Sequence, residues 1–211
     1  MAADAPRRSY RQGTLTTSEL DADPLRQLER WLHQALAAGM LEPNAMNLAT
    51  ADADGHVSSR MVLLKGIAGD GLEFYTNYAS RKGRDLDANP HAAACFWWDR
   101  LERQVRLEGT VARLPEAVGR SYFAGRPYGS QLAAWASEQS RPVADRQELE
   151  RRFAAMRARF PEGAVPLPPT WGGYRLQPSR IEFWQGRENR LHDRFLYRAT
   201  EHGWTVERLL P

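Results

Sequence analysis

The spacing of apolar residues changes period several times along the chain. Asp23-Pro24 is a helix start, with an acidic N-cap and proline at the first helical position. Leu25, Leu28, Trp31, Leu32, Ala35 and Leu36 follow at helical intervals, and Gly39 can end the helix. Strand-like patterning then covers 46–51, 57–65, 72–76, 91–98 and 104–114, with turn signals at Asp54-Gly55 and Gly69-Asp70-Gly71. Ser80 is placed to cap a short helix ending near Asn89-Pro90. Helices are predicted from Pro115 to about Ala124 and from Ser130 to Ala136. A third carries one apolar stripe of Leu149, Phe153, Met156 and Phe160. After a proline-rich connector at 161–169, strands resume at 172–185, 194–198 and 204–209. Consecutive strands joined by tight turns predict an antiparallel meander closing into a small barrel, not a doubly wound parallel sheet. The expected class is α+β: one domain over 21–211 with helices at its edges, preceded by a mobile polar arm at 1–20.

Composition bounds the reading. The 211 residues, 42% hydrophobic and 26% charged, suit one soluble domain. The longest apolar run, Ala92 to Trp98, is too short to cross a bilayer, and the N-terminus lacks the basic and apolar segments of a secretory signal. The one cysteine, Cys95, has no partner for an internal disulfide and reads as core. A cytoplasmic location is the expectation. A formal charge of +3 suits nucleic acid, an acidic surface or phosphorylated small molecules alike. Of 29 basic residues only Lys65 and Lys82 are lysine, so each is a candidate for a site where a compact ammonium matters, chance being the other reading.

Several segments carry candidate chemistry. Along Ser59–Lys65, strand geometry points Arg60, Val62 and Leu64 one way and Met61, Leu63 and Lys65 the other. Each apolar face then ends in a cation, which suits a planar, partly apolar, charged ligand. Tyr75 and Thr76 close a strand, and a helix follows from Ser80; Arg81 and Lys82 oppose its dipole unless an anion lies between them and the helix end. Gln104 sits in an alternating, half-exposed strand. Tyr122, Arg126 and Ser130 are spaced by four, but Arg126-Pro127 disfavours a continuous helix. A broken helix would gather a phenol, a guanidinium and a hydroxyl into a phosphate clamp. Arg190, His192 and Arg194 would share one face of a strand, a repulsive set unless an anionic or electron-rich ligand lies against it. The histidines are scattered and no metal spacing is found. There is no phosphate-binding P-loop, no dinucleotide glycine fingerprint and no nucleophile elbow. Basic residues are spread along the chain without an RNA-binding signature, which argues against nucleic acid.

In order, SRMVLLK (59–65), FYTNYASRKG (74–83), LERQVRLEG (101–109), RPYGSQLAAWAS (126–137) and IEFWQG with RLHDRF (181–195) resemble the pyridoxamine 5′-phosphate oxidase family, from about Asp23 to the C-terminus. The resemblance implies a split β-barrel working as a homodimer with FMN at the subunit interface. It implies FMN along Arg60, Met61, Val62, Leu63, Leu64 and Lys65, touching Tyr75 and Thr76, with its phosphate near Ser80, Arg81 and Lys82. Gln104, Gln139, Ser140, Trp184 and Arg194 would complete the flavin site. Lys65, Tyr122, Arg126 and Ser130 would hold the substrate phosphate. Arg190, Leu191 and His192 would lie at the pyridine ring, Arg190 and His192 as the catalytic pair, with Arg7 and Tyr10 closing from the arm. The implied reaction oxidises pyridoxine or pyridoxamine 5′-phosphate with O2 to pyridoxal 5′-phosphate. It releases hydrogen peroxide and, from the amine, ammonia; no metal, membrane or nucleic acid takes part. A same-fold FMN oxidase of the phenazine type and a non-catalytic flavin or pyridoxal-phosphate carrier are the other readings. Tyr128 departs from the pattern, standing where many relatives have a basic residue.

Overall fold

The computed structural model describes residues 9–211; Arg7 lies outside them. The nine strands are β1 (Ala45–Ala51), β2 (Val57–Leu63), β3 (Gly66–Ala68), β4 (Gly71–Asn77), β5 (His91–Trp98), β6 (Arg103–Arg113), β7 (Trp171–Gln185), β8 (Asp193–Thr200) and β9 (Gly203–Arg208). The helices are α1 (Pro24–Ala37), α2 (Arg81–Ala88), α3 (Glu116–Ala124), α4 (Tyr128–Ala136) and α5 (Arg146–Arg159). All strand pairs are antiparallel, in the order β2-β1-β5-β6-β7-β4-β3, with β8 also on β7 and β9 beyond β8.

β7 shapes the sheet. Its first six residues pair with β4 and its last six with β8, while β6 follows it along the other side. Between the two halves Glu108 faces Arg180 and Gly109 faces Pro178, so Ser179 is a bulged residue. A proline, lacking an N–H for the ladder, is accommodated at such a bulge. The sheet therefore divides into two lips at β7, and its edge strand β2 curls back toward β4. This is the curled half-barrel expected of a split β-barrel.

Alternation along the strands sorts the faces. Ala92, Ala94, Phe96 and Trp98 of β5, Val105 and Leu107 of β6, and Ile181 and Phe183 of β7 point inward and are buried. The apolar stripe of α1 covers them. Trp31 stands edge-on to Phe183 at 5.1 Å and to Trp98 at 6.3 Å. Asp23 caps α1 by accepting the Leu25 N–H. Cys95 points outward and is only half-buried, so it is not a core residue; burial still pushes its thiol pKa up. α5 lays its stripe on α4, where Trp135 meets Phe160 at 5.1 Å. Tyr128 donates its hydroxyl hydrogen to the Phe160 carbonyl at 2.6 Å, tying the start of α4 to the end of α5. No helix among the described residues is long and apolar enough to cross a membrane.

Two differences from expectation bear on the site. β2 stops at Leu63, because the chain turns there: the Leu64 N–H donates to the Asn44 carbonyl and the Lys65 N–H to that of Glu73. The segment before α1 is also held. Leu15 is 2% exposed, the Arg11 and Gln12 N–H groups donate to Glu102 Oε2, and the Leu15 N–H donates to Asp193 Oδ2.

A Cβ on Gly109 would lie 2.0 Å from the Gln177 carbonyl oxygen, a backbone atom that cannot step aside. Gly109→Ala should cost about 1–3 kcal/mol of stability, read as a lower urea midpoint; an unchanged midpoint would mean that the bulge is not tightly packed.

Candidate functional site

A cleft of about 620 Å³ opens at the seam where β2 approaches β4. Met61, Val62 and Leu63 form one wall, and Lys65 follows them. Met61 and Leu63 on one face of β2, the edge strand, and Val62 on the other all reach the cleft. Tyr75, Thr76 and Lys82 form the floor, and Tyr122, Arg126, Ser130, Gln139 and Trp171 close the far side.

Lys82 is 7% exposed and enters the cleft from the first turn of α2. Its ammonium donates to Thr76 Oγ1 at 3.1 Å, Gln139 Oε1 at 3.1 Å and Ser80 Oγ at 3.4 Å, all neutral acceptors. Burial, with a smaller push from Arg60 that Asp85 partly opposes, takes its pKa down to about 8. Ser80 caps the helix by accepting the Gly83 N–H and is itself buried. Arg81 is exposed and does not line the cleft. Arg60 is turned to the inner side of the sheet. Its guanidinium donates to the Leu48 carbonyl and Thr50 Oγ1, and lies 3.8 Å from Asp85.

The opposite side is aromatic. Tyr75 and Tyr122 stack at 3.8 Å with ring planes 7° apart, and Trp171 lies nearly parallel at 5.8 and 6.1 Å. Arg126 rests on Trp171, 4.7 Å from the ring centre. Its Nη1 is buried with no hydrogen-bond partner. Burial depresses the Arg126 pKa, against a small opposing pull from Tyr122. The predicted helix break is present. α3 ends at Ala124, Pro127 precedes α4, and Tyr122, Arg126 and Ser130 all line the cleft.

A second set lies elsewhere. Trp97, Gln104, Trp184 and Arg194 form one cross-strand row on β5, β6, β7 and β8, on the outward face. None of these, nor Arg190 or His192, lines the cleft. The common-face expectation for Arg190, His192 and Arg194 fails. β8 begins only at Asp193, and Asn189 and Arg190 take left-handed backbone angles (φ 56° and 63°) in a 3₁₀ turn, so only Arg194 is on a strand. Arg194 donates to Glu182 Oε1 at 2.7 Å and to the Leu210 carbonyl. Arg190 and Leu191 are exposed. His192 packs at 4.5 Å on Trp184, and Tyr10 meets both rings at 5.8 and 5.7 Å. Gly186 makes this approach possible, since a Cβ there would lie 2.8 Å from the Tyr10 ring.

His192 Nδ1 accepts the Arg187 N–H at 3.1 Å. A neutral imidazole with Nδ1 accepting carries its proton on Nε2. Burial and the charges of Arg190 and Arg194 lower its pKa, outweighing Asp193. Asp193 in turn accepts from Leu15, Arg187 and Arg208. Burial works to raise its carboxyl pKa, but these donors hold it below the ordinary value. Asp52, Asp54 and His56 cluster at the β1–β2 turn, where Asp52 accepts the N–H groups of the other two and so organises the turn.

Comparison with known proteins places the chain among relatives. Residues 32–160 match the family model described as pyridoxamine 5′-phosphate oxidase, and residues 171–211 that of the pyridoxine 5′-phosphate oxidase C-terminal dimerisation region. The pyridoxine/pyridoxamine 5′-phosphate oxidase of Rubrobacter xylanophilus is 57% identical over 97% of this chain and 94% of its own length. That of Bordetella pertussis is 51% identical over the full length of both. The chain belongs to the pyridoxine/pyridoxamine 5′-phosphate oxidase family. Among solved structures, PhzG from Burkholderia lata, in complex with tetrahydrophenazine-1-carboxylic acid, superposes with a TM-score of 0.88. It is 34% identical, over 94% of this chain and 98% of its own. An FMN-binding protein from Nostoc punctiforme, 18% identical, covers 91% of this chain and all of its own with a TM-score of 0.73, and shares the fold.

Within this oxidase chain, the residues named from sequence fall into three groups. Met61, Val62, Leu63, Lys65, Tyr75, Thr76, Lys82, Tyr122, Arg126, Ser130 and Gln139 meet in the cleft. Tyr10, Gln104, Trp184, Arg190, Leu191, His192 and Arg194 lie outside it, around the outward row and its adjoining loop. Arg60, Leu64, Ser80, Arg81 and Ser140 line neither; Leu64 is core, and Ser140 is exposed in a left-handed conformation. Trp171 and Trp97 were missed. Each is an aromatic without a charge or motif position of its own to mark it.

Two predictions follow from these groups. Between pH 8 and the ordinary lysine range, the unfolded chain holds a proton on Lys82 that the folded chain has released. Lys82 should therefore make unliganded stability rise with pH across that window. Anion binding has the opposite sign: isothermal titration with inorganic phosphate should give weaker binding as pH rises through 8, a loss absent in Lys82→Met. A pH-independent affinity in the wild type would remove Lys82 as the anion's partner. For His192, nitrogen-15 NMR should find the Nε2-protonated tautomer and a titration midpoint below 6.5; an Nδ1-protonated ring would contradict the Arg187 contact.

Proposed function

We propose that this chain oxidises pyridoxine 5′-phosphate and pyridoxamine 5′-phosphate at C4′ to pyridoxal 5′-phosphate, in vitamin B6 biosynthesis and salvage. Dioxygen is the final acceptor, giving hydrogen peroxide and, from the amine, ammonia. The observation that carries this reading is Arg126: a guanidinium with a buried, unpartnered Nη1, beside Tyr122 and Ser130 in a cleft that also holds Lys82. Buried donors are normally satisfied, and an orphan on a cation points to an anionic ligand. Two cationic stations suit two phosphates, one on the substrate and one on FMN.

The residues fit FMN. Lys82, Thr76 and Gln139 offer a desolvated ammonium, a hydroxyl and an amide for its phosphate end, and Met61–Leu63 an apolar wall beside it. When bound, FMN supplies the hydride acceptor and the route to dioxygen. The separation of the outward row from the cleft supports a homodimer in which Gln104, Trp184 and Arg194 of one copy complete the flavin site of the other. The match of residues 171–211 to a dimerisation region supports the same assembly. Exposed Met61 and Trp97, 61% and 47% accessible, lie on the face that would then be covered.

In this reading the protein's own groups bind and orient. Tyr122, Arg126, Ser130 and Lys65 hold the substrate phosphate. Arg190 lies over the pyridine ring, and His192 presents an Nε2–H donor to a ring substituent. With its pKa lowered and Nδ1 occupied, His192 stabilises charge near C4′ by donating, not by removing a proton. A same-fold oxidase of the phenazine type, whose carboxylate substrate would also offer Arg126 an anion, is the other reading; the gathering of Lys65, Tyr122 and Ser130 around Arg126 in one cleft favours the larger phosphate group.

Aerobic turnover of pyridoxine 5′-phosphate, followed as pyridoxal-phosphate absorbance and peroxide together, with and without added FMN, is the direct test. A yellow protein that consumes no oxygen with either substrate would instead be a carrier. Phosphate contacts persist from ground state to transition state, so Arg126→Ala should raise KM with little change in kcat. The loss of a charged hydrogen bond, about 1.5–3 kcal/mol, corresponds to roughly 10–150-fold. Arg190→Ala should lower kcat. An unchanged KM in Arg126→Ala would disprove the clamp.

A further inference from the structure

Arg126 poses a mechanical problem. A guanidinium that waits for an anion has no counter-ion to hold it; among the described residues Arg126 forms no ion pair, and its Nη1 meets no acceptor. A long side chain in that state would ordinarily sample several rotamers, and ordering it on binding would weaken affinity. Something uncharged must keep it in place.

Trp171 is placed to do so. It is the first residue of β7, 8% exposed, and its backbone is fixed on both sides. Its N–H donates to the Pro168 carbonyl, and it pairs with Asn77 across β4. Its ring faces three partners. Arg126 lies on it at 4.7 Å, Phe123 abuts it at 5.2 Å and 65°, and the stacked pair Tyr75–Tyr122 runs nearly parallel to it. Phe123 is fully buried and belongs to α3, one turn before Arg126, whose N–H donates to its carbonyl. Trp171 thus touches both the residue that begins the backbone turn and the guanidinium through one ring. A planar guanidinium stacks on an aromatic face, which leaves its in-plane N–H groups free to meet phosphate oxygens.

We propose that Trp171 is a positioning residue for the substrate phosphate: it holds Arg126 preorganised by stacking, and makes no phosphate contact itself. This rests on the clamp reading of Arg126 given above. Because the stack acts equally before and after the chemical step, its loss should appear in KM and in product affinity, not in kcat.

The experiment is a double-mutant cycle on the FMN-loaded protein with Trp171→Leu, Trp171→Phe, Arg126→Ala and the two Trp171 variants combined with Arg126→Ala. KM and kcat for pyridoxine 5′-phosphate are measured, with equilibrium dialysis of pyridoxal 5′-phosphate as a readout independent of turnover. Trp171→Leu should raise KM and weaken product binding roughly 3- to 30-fold, the range of a desolvated cation–π contact, with kcat within about twofold. Trp171→Phe, which keeps a smaller ring, should fall between it and wild type, and supplies the test if the leucine variant does not fold. In the Arg126→Ala background neither Trp171 substitution should add to the loss. A KM raised by Arg126→Ala but untouched by both Trp171 variants overturns this inference alone, as does full additivity in the cycle. No change in KM for Arg126→Ala overturns the clamp, and the inference with it.

Discussion

The pairing of β6 with β7 is the constraint on which the remaining structure hangs. β7 is long enough to be shared: β4 takes its first half and β8 its second, while β6 spans both. A straight ladder would lay these partners in one flat sheet. The Ser179 bulge, beside Pro178 and the close-packed Gly109, lets the strand bend and sends its halves to different lips. Trp171 then sits at one end, in the wall of the cleft, and Trp184 at the other, on the outward row. One strand thereby sets the spacing between the two clusters that a dimer would bring together.

Electrostatics in the cleft follow a single rule. Two of its cations, Lys82 and Arg126, are at least partly desolvated and supported by neutral groups. Lys82 has a hydroxyl pair and an amide, and Arg126 has a tryptophan face. Neither is neutralised by a carboxylate, which would compete with phosphate for the same donors. The carboxylates of this region are engaged elsewhere: Asp85 with Thr50, Ser58 and Arg60, and Glu73 with Arg175. Keeping a buried positive charge costs stability in the unliganded chain, and the depressed pKa of Lys82 is the measure of that cost. Bound anions would return it as affinity.

Local pattern in the sequence made much of the fold legible. The α1 stripe, the two glycine turns, the Ser80 cap and the break at Pro127 are governed by residues within a few positions of one another. What escaped is governed at long range. Beyond Leu63 the Leu64 N–H goes to the Asn44 carbonyl and the Lys65 N–H to that of Glu73, on another strand, and β2 ends. Arg190, His192 and Arg194 would share a face only if the run were a strand, and its backbone is diverted by left-handed Asn189 and Arg190 ahead of the His192 ring, which accepts the Arg187 N–H. Within the candidate site, charged residues in motifs were easily found from sequence, whereas Trp171, whose part depends on the stacking of three separate elements, was not.

Asp193 gives the assembly a direction in time. Its carboxylate receives the N–H of Leu15, the guanidinium of Arg187 and that of Arg208, so one acid gathers residues from both ends of the chain around the loop that ends in His192. The Leu15–Asp193 contact closes a span of 178 residues. On a ribosome, which releases the N-terminus first, β1, β2, β5 and β6 pair before β7 emerges, and β7 then joins β4 to them while this knot is still incomplete. The loop bearing Arg190 and His192 would be fastened only after residue 208 had emerged. A chain truncated after β7 would then own the cleft without the fastened loop that carries Arg190 and His192.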